Sequence, residues 1–594
     1  MSDVVAIKDQ VEAAVQAALS QVLPAELAGT DPVVRRSDRA DFQANGTLAV
    51  AKKAARAPRD IGADVVGHLT GLTAEVSGPG FLNITVPDDL VWSTVAARLA
   101  DERLGLTTPR SGERVVVDYS APNVAKEMHV GHLRSSVIGD ALVRVLGHLG
   151  ADVTRQNHIG DWGTQFGMLI QYLDEHPQVS WKGRGAETMS ALDGLYKAAR
   201  AEFETDPAFA DRSRARVVAL QSGDDATLAV WRDLVAESEK AFEVIYARLG
   251  ILLDGGDFDG ESRYNDSLAG VVDELLRTGI ATESDGAVVT FTDGVTGPEG
   301  EPVPLIVRKK DGGFGYAATD LATLRLRVDH YKADRILYVV DARQALHFRM
   351  VFDTARRAGW LPDTVQAEHV PFGTVLGTDG RPFKTRSGKT VRLADLLDDA
   401  EAAIRTVLEA KEHDFTDAEL DDIVHAAGMA AIKYADLSNT RTKDYVFDVD
   451  QMVATNGNTG VYLQYAHARV RSILRKASAA APAQLEPMAA GSAAANVVPV
   501  DITLPAHPTE KALALTLDAF DATLRDVALA LEPHRLCGYL YDVATAFTRF
   551  YDACPVLKAP DDAVRSNRVA LCDLTGQTLA TGLDLLGIRA PQRM

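Results

Sequence analysis

The stretch that most limits the folds open to this chain runs from Glu113 to Gln156. A short apolar strand, RVVVDYS, passes through a loop into a helix. On that helix Leu133, Val137, Ala141, Val145 and Leu149 recur at a spacing of four, Ile138, Leu142 and Leu146 widen the stripe, and Gly150 stops it. ADVTRQ then reads as a second strand. Strand, helix and strand on short links predict a parallel pair with a right-handed crossover. A second half of this kind comes later: a helix over 316–330, the strand RILYVVD, a helix over 342–359 and a strand near HVPFGTVL. Two halves split by an insertion predict a doubly wound parallel sheet, with its ligand at the strand C-termini near the switch point.

At 594 residues the chain is too long for one core, so we expect several domains. An appended α+β domain is expected over 1–110, beginning with an amphipathic helix that ends near Pro24. The doubly wound domain is expected over 111–415, with a mainly helical insertion from about 170 to 300 that closes on the hairpin-like GAVVTFTDGVTG. An all-α domain is expected over 416–594, interrupted by an Ala/Pro-rich run, Ala477–Val500, read as a loop. The net charge of −21 argues against a protein that coats nucleic acid without selectivity, yet allows a local basic groove. Three cysteines, Cys537, Cys554 and Cys572, fit neither a disulfide scaffold nor a cysteine zinc site. The first residues carry acids where a leader would be basic, and no run of apolar residues reaches membrane length. A cytoplasmic protein with no membrane contact is expected.

His129 and His132 flank Gly131 where the first helix of the doubly wound unit begins. Three readings of the pair are open. A zinc site would need three or four ligands, and neither a nearby cysteine nor HExxH is present, so no metal is expected there. A buried structural pair is the plain alternative. The third reading uses position: a helix N-terminus offers unpaired N–H groups, Gly131 lets a ligand approach, and imidazole N–H groups can bind oxygens that gain charge. That is a nucleotide triphosphate cradle without a P-loop. SGKT at 387–390 is not one, because Phe383 stands where the motif needs glycine.

HVGH resembles the HIGH signature of class I aminoacyl-tRNA synthetases. SAPNVAKEMHVGHLRSSVIGDAL, QNHIGDWGTQFGMLI, YAATDLATLRLR, KTRSGKTVRLADLLDDA, TGVYLQYAHARVRSIL and LGIRAPQRM resemble arginyl-tRNA synthetases in particular, in that family's order. The resemblance implies a Rossmann-type catalytic domain, an N-terminal domain that touches the tRNA elbow and a helical domain that reads the anticodon. It implies that Tyr316 and Asp320 bind the arginine side chain, and that Asn123 and Gln344 hold its α-amino and carboxyl end, with Asp118 in support. Chemistry agrees, since carboxylates accept the paired N–H groups of a guanidinium. Read without the family, Asp320 is also an exposed helix charge, Tyr316 core packing, and Gln344 with His347 a solvated helix face.

The usual KMSKS loop is replaced by GTDGRPFKTRSGKTVRL. From Gly380 to Leu393 it carries five basic residues, Arg381, Lys384, Arg386, Lys389 and Arg392, and no acid. That excess suits a polyphosphate, or simply a solvated turn. In the family a lysine before HIGH compensates for a missing loop lysine, and Lys126 stands there. Lys126, Lys384 and Arg386 are therefore expected at the phosphates beside His129, Gly131 and His132. Glu127 replaces a common proline. Tyr462, Tyr465, Arg469 and the terminal Met594 are expected to contact tRNA, although a tyrosine pair on a helix also reads as packing. The implied reaction is ATP-dependent activation of L-arginine and transfer to tRNA(Arg), with Mg²⁺ carried by ATP, in a monomer. A synthetase for glutamate would want a cationic pocket and one for cysteine a thiolate zinc site, and neither fits. A catalytically inactive tRNA-binding paralogue is the remaining alternative.

Overall fold

The computed structural model describes residues 4–181, 186–383, 391–410, 412–480 and 498–594. At its centre lies a four-stranded sheet in the order Gln366–His369, Arg335–Tyr338, Arg114–Asp118, Asp152–Gln156, parallel throughout. The two inner strands belong to different halves of the chain, so the order reverses between Asp118 and Tyr338, which stand side by side. The crevice beyond their C-terminal ends is where a doubly wound sheet places its ligand.

The helix Val130–His148 makes the first crossover and is buried on almost every side. It lies so close to the strand that a Cβ on Gly139 would fall 2.4 Å from the Tyr119 ring. No other residue fits that approach. In the second half the expected helix from 342 begins instead as a 3₁₀ turn, Ala342–Gln344, because the Asp341 side chain accepts from the Arg343 N–H at 2.8 Å. The regular helix is Ala345–Arg357. The strand expected near HVPFGTVL is split. Gln366–His369 joins the central sheet, Pro371 has no N–H to continue the ladder, and Val375–Leu376 pairs with Tyr445–Val446.

The insertion supplies helices Thr164–Glu175, Ala186–Thr205, Pro207–Gln221 and Asp225–Leu249. The hairpin that was expected at its end is three-stranded, since Pro302–Arg308 adds to Ala281–Ser284 and Ala287–Thr296. The N-terminal part holds Ile7–Val22 against a four-stranded antiparallel sheet. The C-terminal part is built of helices, among them Asp417–Leu437, Gly460–Ala480, His534–Ala553 and Asp562–Leu585. The first residues of the Ala/Pro-rich run extend the Gly460–Ala480 helix, and the rest of that run falls largely outside the described residues.

Buried ion pairs fasten these parts together. Arg98 meets Asp518 at 2.7 Å, and Arg134 of the Val130–His148 helix meets Asp436 at 3.1 Å. Such pairs add little net stability but penalise any arrangement that separates them. All three cysteines are buried and unpaired.

Candidate active site

The loop from Ser120 to Met128 leaves the central strand and enters the Val130–His148 helix. Ser120, Ala121 and Ala125 hold φ values of 74°, 49° and 59° without being glycine. Each costs about 1–2 kcal/mol, so the loop must be held from outside. The Ser120 N–H donates to Ser135 Oγ at 2.8 Å, Ala121 N–H to Asn157 Oδ1 at 2.9 Å, and Ala125 N–H to Ser238 Oγ at 3.1 Å. The Ser120 hydroxyl also lies 2.8 Å from the Tyr246 hydroxyl. Strain fixed by several elements is characteristic of a functional loop.

His129 is the N-cap of the helix. Its Nδ1 accepts from the Gly131 N–H at 3.0 Å, and His132 Nδ1 accepts from the His129 N–H at 3.0 Å. An imidazole nitrogen that accepts carries no proton, so both rings hold their proton on Nε2. Burial, reinforced by Lys126, holds His129 below the usual histidine range. Burial, His129 and Lys126 together push His132 down to about 3. Both rings are neutral Nε2–H donors near pH 7. The expected cradle of free backbone N–H groups is thus replaced in part by imidazole edges, because two of those N–H groups are capped from within. Gly131 has an internal reason as well: a Cβ there would lie 2.8 Å from His129 Cε1.

Lys126 stands beside this pair with its ammonium 4.6 Å from the Tyr196 ring centroid. Lys384, Arg386 and Lys389 lie outside the described residues. Their flanks are anchored: Phe383 N–H donates to Val375 O at 3.0 Å and Leu393 N–H to Met128 O at 2.9 Å. Arg392, counted with the phosphate-binding excess, is instead held by carboxylates, Glu127 at 3.1 Å and Asp395 at 2.8 Å.

On the other side of the crevice Tyr316 opens the helix Tyr316–Asp329 and is 75% exposed, so core packing does not explain it. Asp320, one turn later, accepts from His347 Nε2 at 2.5 Å. Gln344 is exposed one turn before His347. Asn123 is also exposed, and its Oδ1 approaches Gly160 so closely that a Cβ there would sit 2.5 Å away. Asp118 is buried at the strand end. Its Oδ2 accepts from Arg327 Nη2 at 2.9 Å, and its Oδ1 is buried without a hydrogen-bond partner among the described residues.

Two residues that the sequence reading passed over complete this side. Burial alone would depress His158, but the Asp259 contact and the charges of Asp118 and Asp320 lift it to about 9. Burial pushes Glu261 up to about 7, with His158 opposing and Asp161 and Asp320 adding to the rise. Partial desolvation, with Glu261 and Tyr196 adding to it, raises Tyr316 above its ordinary value although most of the side chain is exposed. Asp320 and Tyr316 are thus each electrostatically coupled to Glu261, and Tyr196, under the Lys126 ammonium, also acts on Tyr316. A signal for His158 was present: it follows the second strand, at the sheet's ligand-binding end.

Known proteins resemble this chain along nearly its whole length. Residues 94–449 match the family description "tRNA synthetases class I (R), catalytic domain", 463–594 the "DALR anticodon binding domain", and 8–86 the "Arginyl tRNA synthetase N terminal domain". An arginine–tRNA ligase from Frankia casuarinae is 61% identical, covering 99% of this chain and 98% of that protein. One from Streptomyces coelicolor is 51% identical over 100% of both. The chain belongs to the class I arginyl-tRNA synthetases. Solved arginyl-tRNA synthetases superpose along nearly its whole length: the Plasmodium falciparum enzyme at TM-score 0.80 and 28% identity over 99% of both chains, and the Thermus thermophilus enzyme at 0.79 and 26% over 99% and 100%.

In this synthetase the helix Gly460–Ala480 carries the residues singled out for RNA. Tyr465 is 45% exposed, Tyr462 packs 5.9 Å from the Tyr541 ring, and the Arg469 guanidinium lies 4.4 Å over the Tyr551 ring. The C-terminal tail runs along this helix. Gln464 Nε2 donates to Arg589 O at 2.7 Å, and Arg471 Nε donates to Gln592 Oε1 at 2.7 Å. Met594 is half-buried against the core of the molecule. Two of the basic residues on this face are thus occupied by the tail, since Arg475 Nη1 also donates to Gln592 O at 3.0 Å.

Proposed function

We propose that this synthetase activates L-arginine with ATP and transfers it to the 2′-hydroxyl of the terminal adenosine of tRNA(Arg). The observation that carries the reading is that the first crossover helix starts with two neutral imidazoles whose Nδ1 atoms are capped by the backbone, leaving Nε2–H free, with Lys126 next to them over the Tyr196 ring, while Asp320 stands one turn after the exposed Tyr316 on another helix. Guanidinium and triphosphate need opposite surroundings, and this crevice offers both.

The arginine side chain sits between Asp320, Glu261 and Tyr316. Asn123 and Gln344 hold its amino-acid end, and Asp118 supports them from the strand. A carboxylate oxygen of arginine attacks the α-phosphorus in line, the bond to the β-phosphate oxygen breaks, and pyrophosphate leaves. The His129 and His132 Nε2–H groups with Lys126 meet the charge that gathers on the phosphates, joined by Lys384 and Arg386, with Mg²⁺ as part of the ATP substrate. Fixed donors and positioning are the main tools of such transfers. In the second step the 2′-hydroxyl attacks the arginyl carbonyl and AMP leaves. Tyr462, Tyr465, Arg469 and Met594 contact the anticodon region.

We also retain the division at about 110 and 415, a monomer and a cytoplasmic setting. The test is ATP–pyrophosphate exchange over a panel of amino acids, with and without tRNA. Exchange with arginine alone is expected, and equal exchange with lysine or glutamate refutes the assignment.

A further inference from the structure

One cluster beside the HVGH motif has no part in the reaction as written. Glu127 Oε1 accepts from Arg392 Nη1 at 3.1 Å and from Ser190 Oγ at 3.1 Å. Arg392 Nη1 also donates to Ser190 Oγ at 3.0 Å, while its Nε and Nη2 fork onto Asp395, both at 2.8 Å. Three distant segments meet here: the loop before His129, the insertion helix Ala186–Thr205, and the residue that caps the helix Leu393–Glu409. The backbone adds a bridge between His129 and Arg392 and the bond from Leu393 N–H to Met128 O.

Directly against the cluster lies a cavity of 370 Å³, lined among the described residues by Met128, Phe242, Val244, Ile245 and Ala394 as well as by the cluster itself. The loop is packed from within by Val124, Ala125 and Met128, all buried, while on the cavity side its polar contacts are those of Glu127. The Glu127 side chain is largely buried, and the fork onto Asp395 fixes Arg392 before it reaches Glu127. An exposed ion pair contributes little because both side chains must be ordered. Here Arg392 is already ordered by its bidentate partner, and the tie loses less entropy. Lys126, the preceding residue, has its ammonium on Tyr196 and acts on both imidazoles.

We propose that Glu127 and Arg392 form a positioning tie for the ATP half of the site. Holding residue 127 and the backbone of 129 sets where the Lys126 ammonium and the His129 Nε2–H point. The tie touches no substrate. It rests on the reading that the HVGH helix start and Lys126 bind ATP phosphates.

The experiment is a double-mutant cycle of Glu127→Ala and Arg392→Ala in the full chain, read by arginine-dependent ATP–pyrophosphate exchange with tRNA present. Each single variant is expected to lower kcat/KM for ATP about tenfold, and the double variant no further than the worse single. KM for arginine stays within about twofold in all of them, because the Asp320 pocket is held by other elements. Arg392→Lys, which cannot fork, recovers part of the loss. Thermal unfolding of each variant separates misplacement from misfolding: midpoints near that of the parent are expected, and a collapse in both singles overturns the positioning role. Additive losses of about a hundredfold in the double variant also overturn it, as does a rise in KM for arginine that matches the rise for ATP. Absence of arginine-dependent exchange in the parent chain instead overturns the proposed function.

Discussion

Replacing Gly131 with alanine separates what the HVGH motif does for folding from what it does for chemistry. A Cβ at that position would lie 2.8 Å from His129 Cε1 and 3.0 Å from Nδ1, so the imidazole must swing away and release the Gly131 N–H. Loss of an N-cap bond costs about 1 kcal/mol of stability. Alanine in place of a helical glycine returns up to about 1 kcal/mol. The two nearly cancel, and the unfolding midpoint should move by no more than about 2 °C. Catalysis has no such compensation. A hydrogen bond from His129 Nε2–H to a charged phosphate oxygen is worth about 1.5–3 kcal/mol, a loss of about ten- to hundredfold in kcat/KM for ATP. The assay is arginine-dependent ATP–pyrophosphate exchange with tRNA present, beside thermal unfolding of the same preparation. Unchanged exchange would falsify the role given to His129, and a fall in the midpoint many times larger would mean that the motif is structural.

Arginine affinity should depend on pH through Glu261, whose carboxyl is pushed up to about 7. The guanidinium pairs with the ionised form, so affinity rises with pH, levels above about 7, and is about tenfold weaker at pH 6 than on the plateau. Calorimetric titration with arginine across pH 5.5–8 checks this, and a slope that persists in Glu261→Gln removes Glu261 from the pocket. Asp320→Asn should weaken arginine about a hundredfold, since it takes one charge from a desolvated pair, while KM for ATP is nearly unchanged; an unaltered KM for arginine excludes Asp320. Deleting Met594 should weaken tRNA binding without lowering the unfolding midpoint, because the tail is held upstream by Gln464 and Arg471. Equal tRNA affinity of the two chains in a filter-binding titration would refute that contact.

Much of this architecture can be read from periodicity. The stripe from Leu133 to Leu149 names a crossover helix, and two such units name a sheet whose order reverses between them. The turn of helix that carries Tyr316 and Asp320 follows from their spacing. What periodicity reports is which face of an element is apolar, and it is silent about the partner that covers a polar group. Arg327 is read easily as one more residue of an amphipathic helix, yet it is wholly buried on Asp118, 209 residues away in sequence. Arg392 looks like part of a basic loop because its neighbours are basic, whereas it is forked onto Asp395, three residues on, and tied to Glu127, 265 residues earlier. Glu261 opens a single 3₁₀ turn, Glu261–Tyr264, after the insertion's long helices, and its local sequence does not report that Asp320 acts on it.

The histidine pair shows why the missing part matters for mechanism. HVGH identifies two imidazoles at a helix start, but zinc ligands, a structural pair and phosphate donors differ in which ring nitrogen is free and whether the ring is charged. Those properties come from hydrogen bonds of the backbone onto both Nδ1 atoms and from burial next to Lys126. The backbone takes that path because Ser120, Ala121 and Ala125 are held in left-handed conformations by Ser135, Asn157, Tyr246 and Ser238. Those partners come from the crossover helix, the loop after the second strand and the insertion. The tautomer of two side chains thus depends on three separate parts of the fold. The chemistry of a four-residue motif is set by residues that lie outside it.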